Sequence, residues 1–346
     1  MQGLAAKPAP IGGFFETHAP DGAAPHLSLL SAWTEGRPHA AFVNARSAFA
    51  ALVAGFPDAT VWLPAYLCPD LAQAVPPDRT RFYPVDDGFE PALDGVAAEA
   101  VAGDVVLVVA HFGLPVSTGA RRVLAQRPDL RVVEDRAQAL AAGSGVAGAW
   151  RLYSPRKLLG VADGGLLVAP SSDAALPQPG DQPDSASLWS APRARAADPL
   201  GHQNAQWHAA NQAKEAAMAV ASKAMTAASL AILTQTSAAS LTAPRLANWR
   251  LLDASLSAWS ALSAEPGAPP LGYVLRLDPA RRDQLLSALH AERIFAAVHW
   301  QRIAGPAEAF PRETRWTREF LTLPCDHRYG AAEMARIAAC VTAQLA

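Results

Sequence analysis

The sequence predicts an α/β protein, with a large domain on a mostly parallel sheet and a smaller C-terminal α+β domain. Three observations lead there. Between about residues 40 and 170, short apolar runs alternate with stretches of helical spacing. One run, Val105 to Ala110, is uninterrupted Val and Leu before its final Ala, the pattern of a strand buried on both faces. The composition then changes over residues 171–200, and the chain beyond is mainly helical. A length of 346 residues suits two domains. We place them at 1–246 and 247–346.

The elements follow in order. Arg46 to Phe56 reads as a helix, with Phe49, Leu52 and Val53 at three- and four-residue spacing. Thr60 to Pro64 reads as a strand ended by proline, Asp70 to Val75 as a short helix, and Thr80 to Val85 as a strand. Thr118 to Gln126 is helical, with Ser117 or Thr118 as N-cap, and Leu130 to Glu134 is another strand. Residues 171–200, with five prolines, read as a long loop. A helical region from about Ala205 to Leu241 comes next. A helix after Ala247, a strand near Leu271 to Leu277, a helix over Arg281 to Ala291 and a final helix from Ala331 complete the chain.

Composition excludes several classes. Hydrophobic residues are 51% and charged residues 17%, which rules out a disordered chain. A net charge of −2 leaves no footprint for nucleic acid. Cys68, Cys325 and Cys340 are too few and too scattered for a disulfide framework or a zinc cluster, so a reducing, cytoplasmic setting is expected. The N-terminal residues lack the apolar run of a signal peptide. Ala216 to Leu241 is apolar, but it carries Lys223 and many Ser and Thr. A spanning helix needs ~20 predominantly apolar residues, so this stretch reads as a helix buried on one side or at a subunit contact.

Familiar motifs are missing or out of place. Gly143 to Gly148 spells Gly-x-Gly-x-x-Gly but leads into Ala149-Trp150 rather than a helix, and no phosphate loop, His-Glu-x-x-His or Gly-x-Ser-x-Gly occurs. Three segments carry candidate chemistry. Glu134-Asp135-Arg136-Ala137-Gln138 puts two acids directly after an apolar strand, where open α/β sheets bind ligands, though a solvated surface turn has the same sequence. Ser154-Pro155-Arg156-Lys157 precedes apolar residues and the pair Gly164-Gly165. A lysine in apolar surroundings is a candidate imine-forming amine, while a surface lysine before a hairpin is the plain alternative. Asn44-Ala45-Arg46-Ser47 opens a helix with groups suited to phosphate, or simply to N-capping. An anion site, a carboxylate and, 22 residues after Asp135, a lysine are together what pyridoxal phosphate needs.

The order of these segments resembles the DegT/DnrJ/EryC1/StrS aminotransferases, pyridoxal-phosphate enzymes of fold type I. The likeness also takes in Ile11 to Glu16, Leu63-Pro64-Ala65-Tyr66-Leu67-Cys68, His111-Phe112-Gly113-Leu114-Pro115, Arg245 to Trp249, His299-Trp300 and Leu323 to His327. The resemblance implies roles. Lys157 would be the Schiff-base lysine and proton carrier, and Asp135 would pair with the pyridinium nitrogen. Gln138 would bond the ring 3-oxygen and Ala137 would lie against a ring face. Arg46, Ser47 and Ser154 would hold the phosphate. It further implies a homodimer that moves an amino group from an amino acid to a keto sugar, nucleotide-linked. Arg46 in the phosphate motif, Cys68 where relatives carry an aromatic, and residues 171–200 depart from the pattern. Two other readings remain on the same scaffold: a dehydratase-like enzyme, usually marked by loss of the lysine, and a non-catalytic binding or regulatory protein, marked by loss of Asp135 or Lys157. His299 and Trp300 are candidates for the substrate cleft or for a satellite core. Cys325 beside Asp326 and His327 is a remote candidate for a nucleophile.

Overall fold

A computed structural model describes residues 8–19, 25–141, 145–262 and 268–345. It opens with the two-residue strand β1 (Ile11–Gly12) and α1 (Leu29–Thr34). β2 (His39–Phe42) leads into α2 (Ala45–Ala54), and β3 (Val61–Pro64), α3 (Pro69–Ala72), β4 (Thr80–Tyr83) and α4 (Asp94–Glu99) follow. Then come β5 (Val105–Val109), α5 (Thr118–Ala125), β6 (Arg131–Asp135), β7 (Trp150–Tyr153) and β8 (Gly165–Val168). Four helices succeed them: α6 (Ser185–Ala196), α7 (Asn204–Ala217), α8 (Ala227–Gln235) and α9 (Ala238–Leu256). The C-terminal part holds β9 (Tyr273–Arg276), α10 (Pro279–Ala291), β10 (Ile294–Phe295), α11 (Pro311–Glu319), β11 (Phe320–Leu323) and α12 (Ala331–Leu345).

Seven strands form one sheet in the order β2-β8-β7-β6-β5-β3-β4, parallel except for β8, which runs antiparallel to both its neighbours. The apolar run of β5 lies at its centre. Val105, Leu107 and Val109 pack with Phe49 and Leu52 of α2, while Val106 and Val108 face Val96 and Leu124 of α4 and α5. This is the two-residue alternation of a strand covered on both sides. Each such side chain contributes about 1.5–3 kcal/mol on full burial. Gly164 takes φ +136°, as the glycine pair requires, and Gly165 is needed for space: a Cβ there would stand 2.1 Å from the Asn44 carbonyl carbon.

A second core joins α9, α10, α12 and the antiparallel pair β9/β11 through Trp249, Leu252, Leu285, Leu321 and Ile337. β1 pairs in parallel with β10, so the N-terminal segment is fastened to this second layer. Residue 246 falls inside α9. Leu241 packs with the helices over the large sheet, and Trp249 with the C-terminal core, so one helix serves both layers.

Two expectations need correction. Residues 171–200 are not all loop, because 185–196 form α6; its Pro192 cannot donate to a carbonyl, but Trp189, Ala191 and Arg195 are buried. The helical region 205–241 is three helices, broken at 218–226 where the chain leaves to bond the open edge of β2. Val43 N donates to Lys223 O at 2.9 Å and Met225 N to Ala41 O at 3.0 Å. The expected Gly143 motif lies partly outside the described residues.

Candidate active site

Asp135 ends β6, and Lys157 ends the tight turn after β7, the neighbouring parallel strand. Neither Glu134 nor Asp135 is a solvated turn residue. Glu134 points to one side of the sheet, bonded to Arg136 at 3.1 Å, and Arg136 reaches the Tyr153 hydroxyl at 3.3 Å. The Asp135 carboxylate accepts from Ala137 N at 2.8 Å. Burial pushes its pKa up, opposed by the charge of Lys157 and by that N–H bond. Gln138 is held by its oxygen, which accepts from Phe112 N at 2.7 Å, while its Nε2 is buried without a partner. Phe112 is 1% exposed and sits at φ +54°, a costly conformation for a residue with a side chain. Beside it His111 bonds the Tyr66 carbonyl at 2.9 Å, so Nε2 carries the proton, and burial lowers its pKa to about 4.

Lys157 lies half-buried in the wall of a cavity of about 800 Å³. Gly13, Phe14 and Phe15 of the N-terminal segment form another wall, with Trp207, His208 and Gln212 of α7. His299 and Thr322 complete it from the C-terminal layer, joined at 3.1 Å through His299 Nδ1. Burial, with the Lys157 charge as a smaller cause, lowers the His299 pKa to about 3. The cavity also carries Arg156, Arg245, Arg328 and His290; among its described lining residues the carboxylate is Asp326, paired to Arg328 at 2.8 Å, and Arg156 is paired from outside the lining by Glu215. Arg328 also reaches Glu16 at 3.0 Å and stacks 4.0 Å over Phe15, fixing the N-terminal wall. Asp135, Ala137 and Gln138 are buried behind this space rather than in its walls.

The expected phosphate end is closed by the chain itself. Ser47 Oγ accepts from Ala221 N at 3.0 Å, and Asn44 caps Ser47 N at 2.8 Å while donating to Ala219 O at 3.3 Å. Arg46 is turned to Asp70, at 3.3 Å, and to the Met218 carbonyl. Segment 218–221 therefore occupies the donors and acceptors at this helix start. Ser154 is buried at the head of the lysine turn, with no capping bond from its side chain.

Tyr66 is turned into an aromatic cluster with Trp300 and Trp316, its hydroxyl on the His299 carbonyl, and Cys68 is half-buried against the large-sheet core. The nucleophile reading of Cys325 is overturned, since burial pushes its thiol up to about 12. Phe14 and Phe15 entered the sequence reading only as part of the Ile11 to Glu16 likeness, with no role, and His208 and Gln212 escaped it. The four-residue spacing of the last two was the only local signal. Among the described residues no group of His, Cys, Asp and Glu could hold a metal ion, and no helix is long and apolar enough to cross a membrane.

No protein-family model matches the chain, and no curated protein matches it by sequence. Solved structures do match by fold. A DegT DnrJ EryC1 StrS aminotransferase from Brucella abortus gives a TM-score of 0.64 at 16% identity, over 91% of this chain and 87% of that one. A Streptococcus pneumoniae protein in its PLP form gives 0.61 at 14%, over 99% and 98%. DesI, solved in the presence of its TDP-sugar product, gives 0.62 at 17%, over 91% and 82%.

Proposed function

We propose that this chain, which has the fold of the DegT/DnrJ/EryC1/StrS aminotransferases, fold type I, at low sequence identity, is a divergent, pyridoxal-phosphate-dependent aminotransferase that moves an amino group from an amino acid to a nucleotide-linked keto sugar. The observation that carries this reading is the pairing of a buried Asp135 with Lys157 at the ends of adjacent parallel strands, close enough for the lysine charge to act on the carboxylate.

The donor set suits the cofactor's ring. Asp135 is a buried carboxylate with no bonded cation among the described residues, Gln138 Nε2 is a buried donor without an acceptor there, and Ala137 is small enough to lie against a ring face. Arg46, Ser47 and Ser154 remain the candidates for the phosphate, once segment 218–221 has left Ser47 and Arg46. When bound, pyridoxal phosphate supplies an electron sink for chemistry at the carbon bearing the amino group. Lys157 Nζ would be the amine that holds it and the base that moves the proton. Asp135 would stand as the counter-ion to the ring nitrogen. Neutral His299 lies beside Lys157 and adds no competing charge. The aromatic cluster of Tyr66, Phe112 and Phe320 keeps water from this side.

An anionic acceptor is supported by the cavity's excess of Arg over carboxylate, and by its size, which falls in the ordinary range for ligand sites. A homodimer is supported by α7, which buries only Trp207. A second reading, a binding protein on the same scaffold, is favoured by Ala221 lying on Ser47 and by Cys68 in place of an aromatic. Titration with pyridoxal phosphate, followed by L-glutamate, tests the choice. An aminotransferase develops a visible band that glutamate bleaches with release of 2-oxoglutarate. A stable band that no amino acid bleaches supports the binding protein, and no band at all refutes the cofactor.

A further inference from the structure

Arg245 of α9 is 1% exposed and makes no ion pair within the described residues, although Asp326 lies near enough to favour its charge. A buried guanidinium without a bonded carboxylate is a poor way to gain stability. Its donors go instead to two backbone carbonyls. Nη2 donates to Leu158 O at 2.9 Å and Nη1 to Leu271 O at 3.0 Å.

Those two carbonyls belong to a continuous path. Leu158 directly follows Lys157. The lysine turn closes through Lys157 N to Ser154 O at 3.1 Å and Leu158 N to Pro155 O at 2.9 Å, and the Leu158 carbonyl is left for Arg245. On the other branch, Leu271 N donates to Phe112 O at 2.8 Å, and Phe112 N donates to Gln138 Oε1 at 2.7 Å. The crossing is tight. A Cβ on Gly113 would stand 2.9 Å from Gln138 O and 3.2 Å from Leu271 N. One guanidinium thus connects the lysine turn to the Gln138 amide through the segment that leads into β9.

We infer that Arg245 is a positioning residue, which fixes Lys157 and Gln138 relative to each other across the junction of the two layers. This rests on the reading of Lys157 and Gln138 as cofactor residues. Arg245 borders the cavity, but in this role it acts away from the reacting atoms. It acts through the Leu158 and Leu271 carbonyls.

The test uses the full chain loaded with pyridoxal phosphate, comparing Arg245→Met, Arg245→Lys, Gln138→Leu and the Arg245→Lys/Gln138→Leu double variant. Two properties are read: the pH midpoint of the visible band, and the rate of cofactor release into buffer. One lost hydrogen bond from a charged donor is worth about a factor of ten. Arg245→Met is therefore expected to release the cofactor at least about tenfold faster and to shift the midpoint, and Arg245→Lys, with one ammonium for two carbonyls, to fall between it and the parent. Because both substitutions act on one path, the double variant is expected to lose less than the sum of the singles. If Arg245→Met does not fold, the Arg245→Lys cycle carries the test alone. Parent-like midpoints and release rates, or strictly additive losses, overturn the inference while leaving the cofactor reading intact. A parent chain that shows no band overturns both.

Discussion

Asp163 offers a direct test of how the lysine turn is held. It lies six residues beyond Lys157 and is fully buried. Its carboxylate accepts from Thr226 N and Thr226 Oγ1, each at 2.7 Å, and from Ser229 Oγ, so it holds Thr226, the N-cap of α8, and anchors the segment that covers β2. Asp163→Ala removes all three bonds. A hydrogen bond to a charged group is worth about 1.5–3 kcal/mol net. The loss is less than threefold this value, because Thr226 Oγ1 and Ser229 Oγ stand 3.1 Å apart and can satisfy each other. The Thr226 N–H stays unsatisfied and the start of α8 loses the nearby negative charge, although Thr226 Oγ1 still caps Ser229 N, giving an expected cost of about 3–5 kcal/mol. Asp163→Asn keeps the shape and one acceptor oxygen, and should cost roughly half as much. Urea unfolding at pH 7, followed by tryptophan fluorescence, measures both. A cost below about 1 kcal/mol for Asp163→Ala, or an Asn variant less stable than the Ala variant, would refute the anchoring role.

Three further outcomes are expected. Gly160→Ala would place a Cβ 1.7 Å from the Glu16 carbonyl oxygen and 2.6 Å from His18 N, so the N-terminal wall should lift and chymotrypsin should cut faster at Phe14 or Phe15; unchanged digestion contradicts this. Arg328→Met leaves Asp326 without its 2.8 Å partner and should cost about 3–5 kcal/mol in urea, with a cost under about 1 kcal/mol speaking against a bonded buried pair. The third concerns pH: His111 stays neutral in the fold down to about 4, whereas the unfolded chain protonates it below its ordinary 6.5. The unfolded state therefore binds more protons between those values, and stability present above pH 6.5 is lost as the pH falls toward 4. The loss is about 3 kcal/mol from this residue, and His111→Gln should flatten the profile by that amount. An identical slope in parent and variant would show that His111 is not buried neutral.

Legibility in the sequence followed locality. The strand of Val105 to Val109, the Ser117 cap of α5, Asp135 at the end of β6 and Lys157 in the turn after β7 all rest on patterns within a few residues. The fate of Arg46 and Ser47 rests on contacts from 172 and 174 residues away, which no local pattern encodes. The break after Ala217 has the same origin. Its Ala- and Ser-rich sequence would continue as a helix, but the unpaired edge of β2 takes its backbone bonds. Helix α6 was masked by prolines, although Trp189 and Arg195 bury one of its faces. The His299 side chain was ambiguous because a cavity wall and an aromatic core use the same residues, and here it borders both.

The most direct measurement is the site of covalent attachment. The chain is incubated with pyridoxal phosphate, reduced with borohydride, digested and sequenced by mass spectrometry. We expect a single pyridoxyl group on Lys157, absent from Lys157→Ala and sharply reduced in Asp135→Ala. Label spread over Lys214 and Lys223, or none on Lys157, would contradict the assignment of the site.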